Sequence, residues 1–284
     1  MSKNSIRTQK YIRLTLTYTL CLFVMVIIAY PLMWTVGASF NPGNSLISTT
    51  MIPKNPTLAH YKELFSPDSG ILYTKWYVNS LKISFFTMVI GVISVCFTAY
   101  AFSRFRFVGK KQGLTLFLLL QMIPQFSALI AIFVLALMLG MVNSHWLLIF
   151  LYVGGLIPMN TYLMKGYMDT ISMDLDESAK IDGASNTRIF FQIILPLSRP
   201  MISVVAINGF TGPLGDFVLA STILRTPDSY TLPIGLYNLV SDKMGASYTT
   251  FAAGAILIAI PIAVVFLLLQ KQFVSGLTAG GTKG

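Results

Sequence analysis

Six runs of apolar residues, at about 14–36, 79–102, 114–139, 146–164, 201–224 and 251–270, limit what this chain can fold into more than any other feature. The hydrocarbon core of a bilayer takes roughly 20 apolar residues per helix, and no soluble core of this length uses six such runs. Inside lipid every backbone N–H and C=O has to pair within its own segment, so each run is predicted to be a helix. Only 11% of the residues are charged, against about a quarter in an ordinary soluble domain. The mean hydropathy of +0.71 points the same way. The expected fold class is therefore all-α, a polytopic membrane protein with six transmembrane helices. Pro31, Pro124, Pro158, Pro213 and Pro261 fall within or near the ends of spans and predict kinks.

Charge sets the expected orientation. The segments 1–13, 103–113, 165–200 and 271–284 hold fourteen of the Lys and Arg residues, and the alternate segments, with Lys82 at the start of the second span, hold six. Basic residues collect on the cytoplasmic side, so both termini are expected in the cytoplasm and 37–78 and 225–250 outside. The net charge of +10 follows from this bias; no basic stripe interleaved with aromatics marks a nucleic-acid surface. The apolar stretch Leu14 to Val36 is longer than a signal-peptide core and lacks a small-x-small cleavage site, so it is read as a retained helix. The domains expected are an N-terminal tail over 1–13, a membrane domain over 14–275 and a C-terminal tail over 276–284.

The loop at about 165–200 carries the most information. Asp174 followed by Glu177 resembles a capping box, and Leu175, Ala179 and Ile181 give a short helix one apolar face. Gly183 is placed to stop that helix by taking a positive φ. Ile189, Phe190, Ile193 and Ile194 form a second apolar stripe, closed by Leu195-Pro196 and Pro200. Pattern alone allows an amphipathic loop lying on the membrane surface.

The spacing Glu177-x-Ala179-x-x-Asp182-Gly183-Ala184, followed by Phe190, Ile194, Leu195-Pro196 and Pro200, resembles the EAA motif of ABC importer permeases. Ser178 and Lys180 depart from the family's usual residues. The resemblance implies a type I importer permease fold in which this loop is a coupling helix docked on a cytoplasmic ATPase, with Glu177, Ala179, Asp182, Gly183 and Ala184 at the contact. Ser229-Tyr230-Thr231-Leu232 and the tail 276–284 are similar to the maltose/maltodextrin branch, specifically its smaller (MalG-type) permease subunit. This implies a tail, including Gly280, Gly281 and Lys283, that reaches the ATPases, and an outward segment at roughly 230–250 that meets a sugar-binding protein. The implied partners are a second permease subunit, two ATPase subunits, an extracytoplasmic sugar-binding protein, membrane lipid and an oligosaccharide. Maltose or maltodextrin comes first and galacto-oligosaccharide second. The implied location is the bacterial plasma membrane.

Other residues were weighed for chemistry. Asp216 lies in the fifth span, where a carboxylate costs about 2.5–3.5 kcal/mol at a helix centre. It is read as lining a pathway, meeting a partner subunit, or sitting near the outer interface; a protease or proton relay needs a second acid that no other span supplies. Cys21 and Cys96 lie in apolar runs, and His60 and His145 are isolated, so no metal-ligand spacing exists. Gly276-x-x-x-x-Gly281 is not followed directly by Lys and cannot act as a phosphate loop. The chain is expected to bind no cofactor and to catalyse nothing, with ATP and Mg on partner subunits. The rival reading is an ion-coupled secondary transporter, which calls for paired charges or broken helices at the midplane.

Overall fold

The computed structural model describes residues 3–44, 50–241 and 247–281. The described residues are helical, in this order: α1 (Lys3–Phe40), α2 (Ala59–Phe65), α3 (Tyr73–Arg104), α4 (Lys110–Leu120), α5 (Leu129–Met138), α6 (His145–Asp169), α7 (Met173–Ile181), α8 (Asn186–Ile189), α9 (Leu195–Leu197), α10 (Arg199–Gly215), α11 (Val218–Ile223), α12 (Leu232–Ser241) and α13 (Tyr248–Gly281). Among the described residues, four helices, α1, α3, α6 and α13, are long and apolar enough to cross a membrane unbroken.

The third and fifth predicted spans are interrupted. Between α4 and α5, Pro124 has no N–H and pushes the residue before it out of helical geometry, so the chain passes through a 3-10 turn over Gln125–Ala128. The fifth span stops at Gly215, runs extended at Asp216 (φ −86°, ψ 125°) and resumes as α11. Before the fifth span, Asn186–Leu197 meets Arg199–Gly215 at 79°. The outward segments expected as loops also carry helices, α2 and α12.

The chain divides into two compact units. The first comprises 1–71 with 237–257. α1 is exposed over nearly all of its span, as suits a helix apolar on every side and solvated by lipid. Beyond its end, His60 is buried, with Nε2 2.8 Å from the Asn41 carbonyl and Nδ1 3.2 Å from Thr250 Oγ1. Thr250 Oγ1 also donates to Glu63 (2.8 Å), and Thr249 Oγ1 donates to the Gly43 carbonyl (2.7 Å). His60 therefore ties α2 to the start of α13.

The second unit comprises 72–236 with 258–284, and α3, α6 and α10 form its centre. Two apolar clusters hold it. One joins Ile83, Leu148, Ile149 and Val153 to Ala220, Ile223 and Ile234. The other joins Val95, Cys96, Ala99, Met164, Met168 and Val205 to Ile189, Phe190 and Ile194 of the long loop. Ser203 Oγ on α10 donates to Gln272 Oε1 of α13 at 2.6 Å.

Candidate functional site

The 165–200 loop folds as two parts with opposite roles. α7 is exposed along one face: Leu175, Glu177, Ser178 and Lys180 are open, as are Ile181 and Asp182 beyond them. Its N-cap is Ser172, whose Oγ accepts from the Asp174 N–H at 3.2 Å and donates to the Asp174 carboxylate at 2.9 Å. The expected capping box starting at Asp174 is therefore displaced by two residues; Asp174 sits in the first turn, where a carboxylate favours the positive end of the helix dipole.

Gly183 has φ +78°, and the helix end around it is a Schellman motif. The Ala184 N–H donates to the Ala179 carbonyl (2.9 Å) and the Gly183 N–H to the Lys180 carbonyl (3.0 Å). Ala179 and Ala184 are half-buried against the lower cluster. Of the five residues expected at the ATPase contact, Ala179, Gly183 and Ala184 thus build the turn, and Glu177 and Asp182 stand free on its surface.

The rear of the loop is anchored. Ile189, Phe190 and Ile194 are buried, and the Phe190 ring lies 5.0 Å from Phe97 and 4.7 Å from Tyr100 on α3. Tyr100 Oη donates to the Asn186 carbonyl at 3.1 Å. Residues Phe190–Ile194 form one wide π turn in which the Leu195 N–H reaches the Phe190 carbonyl. Pro196 follows and has no N–H to continue the regular ladder.

A buried ion pair fixes α7 to α3. Arg104 Nε lies 2.8 Å from Asp176 Oδ2, and both side chains are less than a tenth exposed. The Nε–H is not aimed along this contact, and Asp176 Oδ1 has no partner, so the attraction is one of charge more than of a well-directed hydrogen bond. The guanidinium also donates to the carbonyls of Met168 and Ile171, each at 3.0 Å. Sequence reasoning counted Arg104 only as a loop cation and Asp176 not at all. An acid in the first turn of a helix whose other polar residues face outward was the available signal.

At the break in the fifth span, Asp216 accepts hydrogen bonds from Tyr152 Oη (2.7 Å) and from the N–H groups of Ala220 (2.9 Å) and Leu219 (3.4 Å). It caps α11 and joins α10 to α6. It also lines a cavity of about 660 Å³ bounded by α3, α5, α6, α10 and α11, with Thr87, Asn160 and Asn208. Gly280 and Gly281 are the last residues of α13, which continues through the first part of the expected tail; Lys283 lies outside the described residues. His145 Nε2 bonds the Ser229 carbonyl at 2.7 Å, and among the described residues no three His, Cys, Asp or Glu side chains are grouped for a metal.

A long apolar helix set, a loop with a free outer face and an anchored rear, and a largely apolar cavity with a few polar side chains beside a broken span describe a helical membrane protein. Residues 88–278 match the family described as binding-protein-dependent transport system inner membrane component, and the chain belongs to that family. It is 76% identical over 278 residues to the galactooligosaccharides transport system permease protein GanQ of Bacillus subtilis, covering 98% of each chain. It is 46% identical over 283 residues to the maltodextrin transport system permease protein MalD of Streptococcus pneumoniae, covering 99% of each. Its fold matches a chain of a bacterial ABC transporter involved in the import of the acidic polysaccharide alginate, with a TM-score of 0.74 at 19% identity, over 94% of this chain and 98% of that one. Broken helices also suit the ion-coupled rival, but family membership makes this chain a permease of the binding-protein-dependent class.

Proposed function

We propose that this chain is one of two membrane subunits of an ATP-driven oligosaccharide importer, and that it carries galacto-oligosaccharides. The likeness to GanQ, at 76% over nearly the whole chain, supports that order of substrates over maltodextrin, the first choice from the sequence. The observation that carries the coupling is the two-sided loop: α7 offers Glu177 and Asp182 to an ATPase while Phe190 and Ile194 are packed among α3 and α6.

When two ATPase subunits close on ATP, a displacement of α7 passes to α3 through the Arg104–Asp176 pair and to α10 through the anchored rear of the loop. Packed elements move as rigid bodies between discrete arrangements. Only a difference in ATPase affinity for the loop between those arrangements can drive the change. The Lys and Arg distribution supports cytoplasmic termini and an outward face that receives sugar from a binding protein. The tail near Gly280, Gly281 and Lys283 is a further ATPase contact in this reading.

The test is reconstitution. This chain, its second permease, ATPase and binding protein in proteoliposomes are expected to accumulate labelled galactotriose only with ATP inside. Uptake by this chain alone, or driven by an ion gradient without ATP, overturns the reading.

A further inference from the structure

From the cavity beside the broken fifth span, we infer that this chain supplies its own subsite for a neutral, hydroxyl-rich solute, built from Asn208, Asn160 and Asp216. The inference rests on the functional reading above and adds where the sugar touches this subunit. Thr87, Asn160 and Asn208 lie near the middle of α3, α6 and α10, at the depth where unpaired polar groups are most costly.

Their hydrogen-bonding capacity is only partly used. Asn208 Nδ2 donates to Asn160 Oδ1 at 3.1 Å, and Asn160 Nδ2 donates to the Leu156 carbonyl at 2.8 Å. Asn208 is exposed, so its carbonyl and second N–H remain open. Thr87, 1% exposed, has a hydroxyl without a partner that is buried beneath the lining, out of reach of a solute. Asp216 Oδ1 has only the 3.4 Å contact with the Leu219 N–H. A static packing role would call for apolar side chains at these positions.

The chemistry of the set selects the solute. Amides both donate and accept, as sugar hydroxyls do. Among the described residues Asp216 is the one charged lining residue, and Tyr152 and backbone N–H groups already occupy much of its hydrogen-bonding capacity. Among the described residues no Lys or Arg lines the cavity to balance an anion. A uronate chain therefore meets repulsion here, and a neutral oligosaccharide meets matching partners. Gly155, Gly212 and Gly215 keep the lining low enough for a sugar ring.

The test uses the assembled importer in proteoliposomes. One cavity hydrogen bond is a factor of up to about ten in an equilibrium, so Asn208→Leu is expected to cut galactotriose uptake severalfold to tenfold. Wild-type uptake in Asn208→Leu overturns the inference. If that variant fails to assemble, Gly212→Cys decides, in a background where exposed Cys21 is replaced by Ser. A Cβ at Gly212 meets nothing within 4 Å. Galactotriose is expected to slow its modification by a membrane-impermeant thiol reagent, and trigalacturonate is not. No protection by galactotriose, or equal protection by trigalacturonate, overturns the inference. A wild-type complex that transports no neutral sugar overturns the functional reading, and this one with it.

Discussion

Arg104→Met tests whether the buried ion pair holds the loop in place. The substitution keeps an apolar stem and leaves Asp176, 5% exposed, without its one cation among the described residues. It also frees the Met168 and Ile171 carbonyls from their 3.0 Å bonds. Removing one partner of a buried pair costs about 3–5 kcal/mol. The lower figure applies here, because the Nε–H is poorly aimed and Asp176 Oδ1 was unpaired from the start. A cost of about 3 kcal/mol is roughly a hundredfold change in the equilibrium between docked and released α7. In nanodiscs, hydrogen exchange of the α7 amides is expected to accelerate by about that factor, with amides in the middle of α3 and α6 unaffected. Sugar moved per ATP hydrolysed is expected to fall with it. Replacing both partners, as Arg104→Met with Asp176→Leu, is expected to recover most of the protection, since an apolar pair of similar volume needs no desolvation. Wild-type exchange in the single variant, or a double variant no better than the single, refutes this account of the pair.

Gly183 separates backbone demand from surface contact: its φ of +78° is open to Asn, and a Cβ there meets nothing in this chain. Gly183→Asn is expected to transport near the wild-type rate and Gly183→Leu to insert yet lose ATPase docking, measured by co-purification; equal loss in both assigns the position to ATPase contact instead of the turn. Phe190→Ala removes a buried ring and is expected to lower stability by about 3–5 kcal/mol, read as a fall in the thermal midpoint of the solubilised complex. Gly235→Ala would put a Cβ 2.0 Å from the ring of Trp76, whose Nε1–H is held by the Pro227 carbonyl at 2.9 Å. Overpacking of this kind costs about 1–3 kcal/mol, and a reduced thermal midpoint is the expected outcome.

Much of this molecule is legible in the sequence because lipid imposes a single rule. Apolar length located the spans, and α1, α3, α6 and α13 follow as continuous helices. Gly183 was readable because few residues take its conformation. The breaks were not readable to the residue. Pro124 and Pro213 suggested kinks, but only the placement of Tyr152 against Asp216 lets the fifth span open at 216 and reseal with α11. The Ser172 cap was missed because Asp174 and Glu177 offered a competing motif with the same chemistry two residues later. Arg104 and Asp176 stayed hidden for a different reason. They are 72 positions apart, as their numbers state, and each alone reads as an ordinary loop charge. Periodicity carries no information about which two charges will meet.

The division of the EAA-like segment into residues that make the turn and residues that face out has a mechanical consequence. Two backbone hydrogen bonds close the turn at Ala179, Gly183 and Ala184, so in the proposed coupling a force at Glu177 or Asp182 has little slack to take up there. It reaches Phe190 and Ile194, and from there the 79° corner at Ser198 leads directly into α10. α10 has 17 residues, or about 25 Å at 1.5 Å per residue, and it runs unbroken from that corner to Gly215. Asn208 and Gly212, on the cavity wall, therefore sit on the same helix that leaves the loop at that corner. The rod ends at Asp216, whose bond to Tyr152 belongs to α6. Any tilt of α10 against α6 must change the Asn208–Asn160 and Asp216–Tyr152 contacts together, and these are the contacts that shape the cavity. In the proposed importer, the energy input and the solute path would then lie toward opposite ends of one element, with no longer chain of couplings needed between them.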